Sequence, residues 1–355
     1  MTIYYPILKK GNSEIKALEE LSKQFPSSHS KITPIIEAPQ KSNPDNWERD
    51  FKTFGNYLSR KIPDLNFAFQ YSTAFSNLDE NPENSWKSTT NLNIVEYIHT
   101  RLVEGCKEYI PCFNYDDKDW IIESIPDSFI DTVIIRIEPH KFEAGIDKIV
   151  IPGIKNKFQS KFPDKHIIWL IDFYKTFSDL DRASNLISLL TTDDSGSNVI
   201  FGATSCPEDA TSVTHSEFSV ASNRNDLLSF FTLKKQCPEL SFADYTVRLK
   251  PVPTNEQRSG INMNNTYLKI FYTTNNHYMI AKSGLIKKQK TQVSHLTIQE
   301  TCKILIDSPH YSGETYSWGD KKIHECANGK LDIHDHQVPI QIGINHHLVS
   351  TLNQL

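Results

Sequence analysis

The sequence predicts an α/β fold: a closed (β/α)8 barrel of the TIM type with a C-terminal α+β appendage. Three observations lead there. Strand-like and helix-like segments alternate from the N-terminus to about residue 250, which implies parallel pairing through crossovers. The central strand segments are unbroken apolar runs, as in "TVII" and "HIIWLI", which suits strands covered on both faces. Eight strand segments separated by about seven helical ones match one barrel in length. A doubly wound open sheet is the rival, but it calls for a Gly-rich first turn, and "KKGNSE" offers only Gly11.

Taken in order, residues 3–9 read as a strand. Residues 12–25 read as a helix, with Asn12 or Ser13 as cap and Ile15, Leu18 and Leu21 on one face. Residues 32–38 form a second strand. Residues 46–62 form an amphipathic helix built on Trp47, Phe51, Phe54 and Leu58, and 65–72 a third strand. The polar stretch 73–91 reads as a long loop. A helix over 93–105 leads to a strand at 109–114, and a short helix at 120–125 to the strand "TVIIRIEP". The 141–162 region is helical in part, interrupted by Pro152 and Gly153. Strands at 166–173, 198–205 and 242–250 alternate with helices at 179–191 and 223–236.

Past residue 250 the texture changes, which divides the chain into a barrel (1–250) and an extension packed on it (251–355). Residues 251–260 read as a loop and 267–284 as a β-hairpin turning at Thr274–Asn276. Residues 296–308 read as a helix. The segments "YSWGDKKIHECANG" and "GINHHLVSTLNQL" read as one helix and one short strand or helix.

Composition narrows the function classes. The 355 residues are 38% hydrophobic and 23% charged, with a formal net charge of −5. That balance supplies no global basic field for nucleic acid or an anionic membrane. No run reaches the roughly 18–20 apolar residues of a membrane helix, and "MTIYYPILKK" lacks the parts of a signal peptide, so the expected location is the cytoplasm. The six cysteines are scattered and form no CxxC pair, which signals neither zinc nor a redox motif.

In a barrel, the strand ends at the C-terminal face carry function. Those ends bring Lys9, Glu37, Gln70, Asn114, Arg136 with Glu138, Asp172, Thr204 with Ser205, and Arg248. Arg136 and Glu138 lie two residues apart and so share a face. The candidate catalytic set is Glu37, Glu138 and Asp172, with Lys9 and Arg136 as anion holders and Gln70, Asn114 and Arg248 as further ligand contacts. Such a group can bind a divalent metal and a phosphate, or act as general acid and base. The competing reading is that strand ends are polar because they meet solvent, with Arg136 and Glu138 as an ordinary ion pair. Trp318 and Asp320 in "YSWGDKK" can stack on and hydrogen-bond to a base or sugar; a core Trp and a Gly-Asp turn is the plainer reading. "DIHDHQ" reads as a surface loop, "KKQK" (287–290) as a solvated basic run and Cys206 as a neutral thiol.

Several segments carry a family resemblance: "YYPILKKGNSEIKALEEL" and "ITPIIEAP" at the start, then "DYTVRL", "IFYT", "WGDKKIHECANG" and "GINHHL" in the same order. Together they make the chain similar to the beta protein family, named for a phage protein and found in phages and bacteria. The resemblance spans essentially the whole chain and implies a phage or mobile-element setting, with phage–host conflict as the context. It brings no catalytic residues with it. The family pattern places Arg-Gly after the hairpin; this chain has "AKSG", which puts Lys282 at that cation's position. The pattern includes the His346–His347 pair, and one of the two, His346, is a candidate facing the strand ends. Two functional classes follow: a barrel enzyme with hydrolase-like phosphoester or nucleotide chemistry on a phosphorylated or nucleotide-like ligand, or a non-catalytic module that binds a phage or host protein.

Overall fold

The computed structural model describes residues 2–39, 47–72, 86–106, 108–175, 177, 179–192, 198–249 and 266–355. The expected loop at 251–260 and the 73–85 part of the expected loop at 73–91 lie outside the described residues. Eight parallel strands close into a barrel. They are β1 (Tyr4–Lys9), β2 (Ile35–Glu37), β3 (Ala68–Gln70), β4 (Ile110–Asn114), β5 (Thr132–Ile137), β6 (His166–Asp172), β7 (Asn198–Gly202) and β9 (Ser241–Asp244). The ring closes because β9 pairs with both β1 (Tyr4 opposite Phe242) and β7 (Ile200 opposite Ser241). The α/β barrel expected from the alternating pattern is the fold.

Register decides what lines the interior. Paired residues on parallel neighbours share a face, and side chains alternate along each strand. Ile7, Ile35 and Ala68 pair in one row, and they, Ile134 and Ile200 are nearly inaccessible to solvent. Towards the ends of the strands the apolar filling gives way to Lys9, Glu37, Gln70, Asn114, Arg136 and Asp172. The outward faces (Phe69, Phe113, Ile135, Trp169, Phe201, Phe242) are also buried. Burial on both faces is why these strands read as apolar runs.

The chain forms two compact units. The barrel unit takes Met1–Lys10, His29–Thr204 and Asp226–Asp244. Its helices are α2 (Trp47–Phe51), α3 (Phe54–Lys61), α4 (Ile94–Cys106), α5 (Asp119–Glu123), α6 (Asp147–Lys161), α7 (Leu180–Thr191) and α8 (Asn225–Lys234). Expected as one helix over 46–62, the second helical region breaks after Phe51 into two. In contrast, α6 runs unbroken through Pro152 and Gly153, with Ile151, Ile154 and Phe158 buried on one face. The packed face outweighs the single backbone donor that proline removes.

The second unit takes Gly11–Ser28, Ser205–Asn225 and Tyr245–Leu355. It contains α1 (Asn12–Gln24), β8 (Glu217–Asn223), β10 (Lys269–Thr273), β11 (His277–Lys282), α9 (Ile298–Ile306), α10 (Trp318–Ala327) and α11 (Gln337–Gln354). The expected hairpin is present as β10 and β11, and β8 joins it as a third antiparallel strand. β8 was not read from the sequence: "EFSVASN" has a half-exposed, weakly alternating pattern. The C-terminal segment forms α11, a long helix rather than a short element, buried from Ile342 through Thr351. Asn345 Nδ2 donates to the Ala17 carbonyl at 3.0 Å, which ties α11 to α1.

Candidate functional site

Six of the sequence-derived candidates gather at the C-terminal mouth of the barrel. Arg136 is the centre. Its Nη1 donates to Glu37 Oε1 at 2.8 Å, and its Nε and Nη2 both reach Asp172 Oδ2, at 2.8 and 2.6 Å. β2 and β5 are separated in the sheet by β3 and β4, so the Glu37–Arg136 bridge runs through the barrel interior. Arg136 therefore bridges Glu37 and Asp172, while Glu138 turns to Lys141, with Nζ 2.5 Å from Oε2. The reason is local. β5 ends at Ile137, and Glu138 begins the turn Pro139–Lys141.

Asp172 is inaccessible to solvent. Its second oxygen accepts the Tyr174 backbone N–H at 2.8 Å, and Tyr174 adopts a left-handed φ of 52° to present it. A non-glycine residue held there carries strain on the order of 1 kcal/mol, of the kind found at functional sites. Glu37 is the more open carboxylate. Its Oε2 lies 3.9 Å from Lys9 Nζ, and the Lys9 side chain is 21% exposed. Gln70 Nε2 donates to Asn114 Oδ1 at 2.9 Å, and its amide oxygen accepts from the Cys112 thiol. Burial pushes the Cys112 thiol well above its usual range, against the nearby Arg136 charge; Asp117, Glu37 and Asp172 act on it too.

Asp117 and Cys112 were not among the sequence-derived candidates. Asp117 lies in the loop after β4, and its Oδ2 accepts the Asn114 backbone N–H at 2.8 Å. Burial raises its carboxyl to about 7, an effect partly offset by that hydrogen bond and by Lys141. The signal was available in "FNYDDKD": an aspartate three residues past a strand end, in a loop at the barrel's functional face.

Arg248, Lys282, Trp318, Asp320 and His346 belong to the second unit, and none of them is on a barrel strand. Arg248 was expected to end the last barrel strand, but β9 stops at Asp244, and Thr246 turns the chain with φ 52°. Arg248 Nη1 pairs with Glu14 Oε1 at 2.5 Å. Lys282 ends β11 and donates to the carbonyls of Ala210 and Val213 at 2.8 and 2.7 Å; burial lowers its pKa. Asp320 is buried with both oxygens engaged. Tyr272 donates to Oδ1 at 2.8 Å, while Ser317 Oγ and His346 Nδ1 meet Oδ2 at 2.5 and 2.7 Å. His346 Nε2 faces the Thr273 carbonyl at 2.6 Å, and its ring stacks on Tyr272. Trp318 is half-buried at the start of α10. Cys206 is buried, with its thiol towards the Pro207 carbonyl, and the residues of "HDH" are exposed.

Among the described residues, the mouth does not present the donor set of a divalent cation. A guanidinium fills the space between Glu37 and Asp172. Among the described residues, no group of three or more His, Cys, Asp or Glu side chains is arranged to hold a metal ion. No helix among them is long and apolar enough to cross a membrane.

A sequence profile described as Beta protein matches residues 4–353. The chain belongs to that family. The match takes in both the opening and the closing segments on which the resemblance rested. No curated protein matches the chain. Among solved structures, it is similar to the catalytic domain of a mannanase from Streptomyces sp. SirexAA-E, at 10% identity over 69% of this chain and 76% of that one, with a TM-score of 0.40. It is also similar to a beta-mannanase from Streptomyces thermolilacinus with mannohexaose, at 10% identity over 69% and 79% and a TM-score of 0.41.

Proposed function

We infer that the barrel mouth is an acid–base site of hydrolytic type, acting on a phosphorylated or nucleotide-like ligand. The observation that carries this reading is the buried Glu37–Arg136–Asp172 bridge together with Asp117 in the loop after β4, a carboxyl that burial raises to about 7. Acid–base enzymes raise a carboxyl by burial in this way, so that it exchanges a proton near neutral pH. Asp117 is the proton-transferring group. Glu37 is the carboxylate that meets the ligand. Asp172 acts through Arg136 as a positioning residue, because both its oxygens are already occupied. Arg136 is consumed by two carboxylates; Lys9, whose side chain is 21% exposed and lies 3.9 Å from Glu37, is the cation that attracts an anionic ligand. A setting in phage–host conflict belongs to this proposal and rests on the family's phage namesake.

One feature favours the second class, a binding module. The same neutralised bridge also serves simply to plug the barrel, since each charge has its partner in place. A thermal-melt panel of nucleotides and sugar phosphates, with and without Mg2+, separates the two. A ligand bound to the native state raises the melting temperature by mass action. The enzyme reading expects such a shift, turnover of the responding ligand, and loss of turnover in Glu37→Gln with the melt of the free protein little changed. No response across the panel, or turnover that survives Glu37→Gln, contradicts it.

A further inference from the structure

Two amides stand at the mouth, Gln70 and Asn114, and their hydrogen bonds give them different parts. Gln70 ends β3 and is inaccessible to solvent. Its Nε2 donates to the Ser72 hydroxyl and to Asn114 Oδ1, the latter at 2.9 Å, and its Oε1 accepts from the Cys112 thiol at 2.6 Å. An amide nitrogen carries two N–H donors, so no donor of Gln70 is left for a ligand.

Asn114 is the reverse. It ends β4 opposite Arg136 of β5, so its side chain shares the face of Arg136 at the mouth. Its Oδ1 is committed to Gln70. Its Nδ2 has no hydrogen-bond partner among the described residues, and in this half-buried residue the atom is not sealed from solvent. An N–H2 group therefore stands open at the mouth.

The direction of this amide is set from below. Burial keeps the Cys112 thiol protonated, so the thiol is a donor and Gln70 turns its oxygen towards it. Turning Gln70 over would set an amide N–H against a weak sulfur acceptor and strand the thiol proton. With Gln70 fixed, its remaining N–H requires the Asn114 oxygen, and the Asn114 N–H2 is left for the ligand. A donor aimed beforehand loses little entropy on binding.

Charge decides what that donor can meet. Two carboxylates, Glu37 and Asp172, against the one guanidinium of Arg136 leave the neighbouring bridge negative. Like charge disfavours a phosphoryl oxygen there, whereas a carbonyl oxygen is an uncharged acceptor. The anionic end of a ligand belongs beside Lys9, away from the bridge's excess charge.

We propose that Asn114 is the specificity-determining contact of the mouth: its N–H2, aimed by Gln70 and Cys112, donates to a carbonyl oxygen on the ligand's base. Gln70 and Cys112 are positioning residues that do not touch the ligand. The inference rests on the reading of the mouth as a site for a nucleotide-like ligand.

Calorimetric titration of the full chain with uridine against cytidine monophosphate, and with inosine against adenosine monophosphate, tests it. Each pair places a carbonyl in one base where the other has an amine. The carbonyl member of at least one pair is expected to bind about tenfold more tightly. Asn114→Leu should remove that preference, and Asn114→Asp, which offers only acceptors, should reverse it. Cys112→Ala should erode the preference, while Cys112→Ser, which restores a donor to Gln70, should retain it; a packing role alone would change stability without moving this ratio. In the free protein, NMR should show the Asn114 side-chain amide protons exchanging with water much faster than those of Gln70. Slow exchange at Asn114, or a nucleotide that binds without carbonyl preference and ignores Asn114→Leu, overturns this inference and leaves the reading of the mouth standing. Failure of every nucleotide to bind overturns both.

Discussion

Arg136 is a guanidinium held among carboxylates with almost no water. Its side chain is 7% exposed, against 11% for Glu37 and 0% for Asp172. Removing the cation leaves two anions in a poorly hydrated space, which costs about 3–5 kcal/mol when one partner of a buried pair is lost. Arg136→Ala should therefore lower the urea midpoint severely. Arg136→Met combined with Glu37→Gln and Asp172→Asn should be tolerated much better, because no charge is left unpaired. Similar losses for both variants would show that packing, not charge, dominates there. Asp117 obeys a different rule. Its folded-state carboxyl is raised, from 3.8 to about 7, mainly by burial. The folded chain therefore binds more protons than the unfolded chain between those values, and stability from this residue falls as pH rises through that window. Asp117→Asn keeps an acceptor for the Asn114 N–H and removes the buried charge. It should stabilise the protein by up to a few kcal/mol at pH 8 and hardly at all at pH 4, as read from melts at the two pH values. The sequence made Glu37, Arg136 and Asp172 legible because each ends an apolar run. Asp117 was harder to find, since its burial depends on how a loop folds back.

Elements show where glycine is required and where it is incidental. α3 and α4 meet at Gly55 and Gly105: a Cβ on Gly105 would come within 2.1 Å of the Gly55 backbone. Gly105→Ala gains at most about 1 kcal/mol of helix propensity. It forces apart backbones that cannot yield, and overpacking of this sort costs about 1–3 kcal/mol or more. The net effect should be destabilising. Gly153 in α6 is the control, since a Cβ there meets nothing within 4 Å. Gly153→Ala should stabilise by about 0.5–1 kcal/mol. Urea denaturation of the two variants should give shifts of opposite sign; shifts of the same sign would refute the packing argument. Helical periodicity announced these helices but not their crossing, because periodicity describes one face of one helix at a time.

At the scale of the whole molecule, the eight parallel strands were legible because burial on both faces leaves a continuous apolar run. The second unit was less so. Its members come from three separated stretches, and the partner of β8 lies about sixty residues away in β11. Arg224 reaches Thr351 and Gln354 across 127 and 130 positions, and Arg248 reaches Glu14 across 234. No local pattern encodes such pairings. A chain cut after Leu249 would keep α1 and β8 but lose α11 and β11, which cover them. It should aggregate or melt without cooperativity in size-exclusion and circular-dichroism measurements. A monomeric fragment with a sharp melt would show that those segments stand without their partners.

The central claim is that residues far apart in sequence meet at one barrel mouth and there hold a carboxyl ready to exchange its proton near neutral pH, beside carboxylates fixed by Arg136. Carbon-detected NMR titration of the Asp117 side chain in the intact protein tests it most directly. The account predicts a midpoint near the value of about 7 set by its burial. An ordinary aspartate midpoint, close to 4, would contradict it.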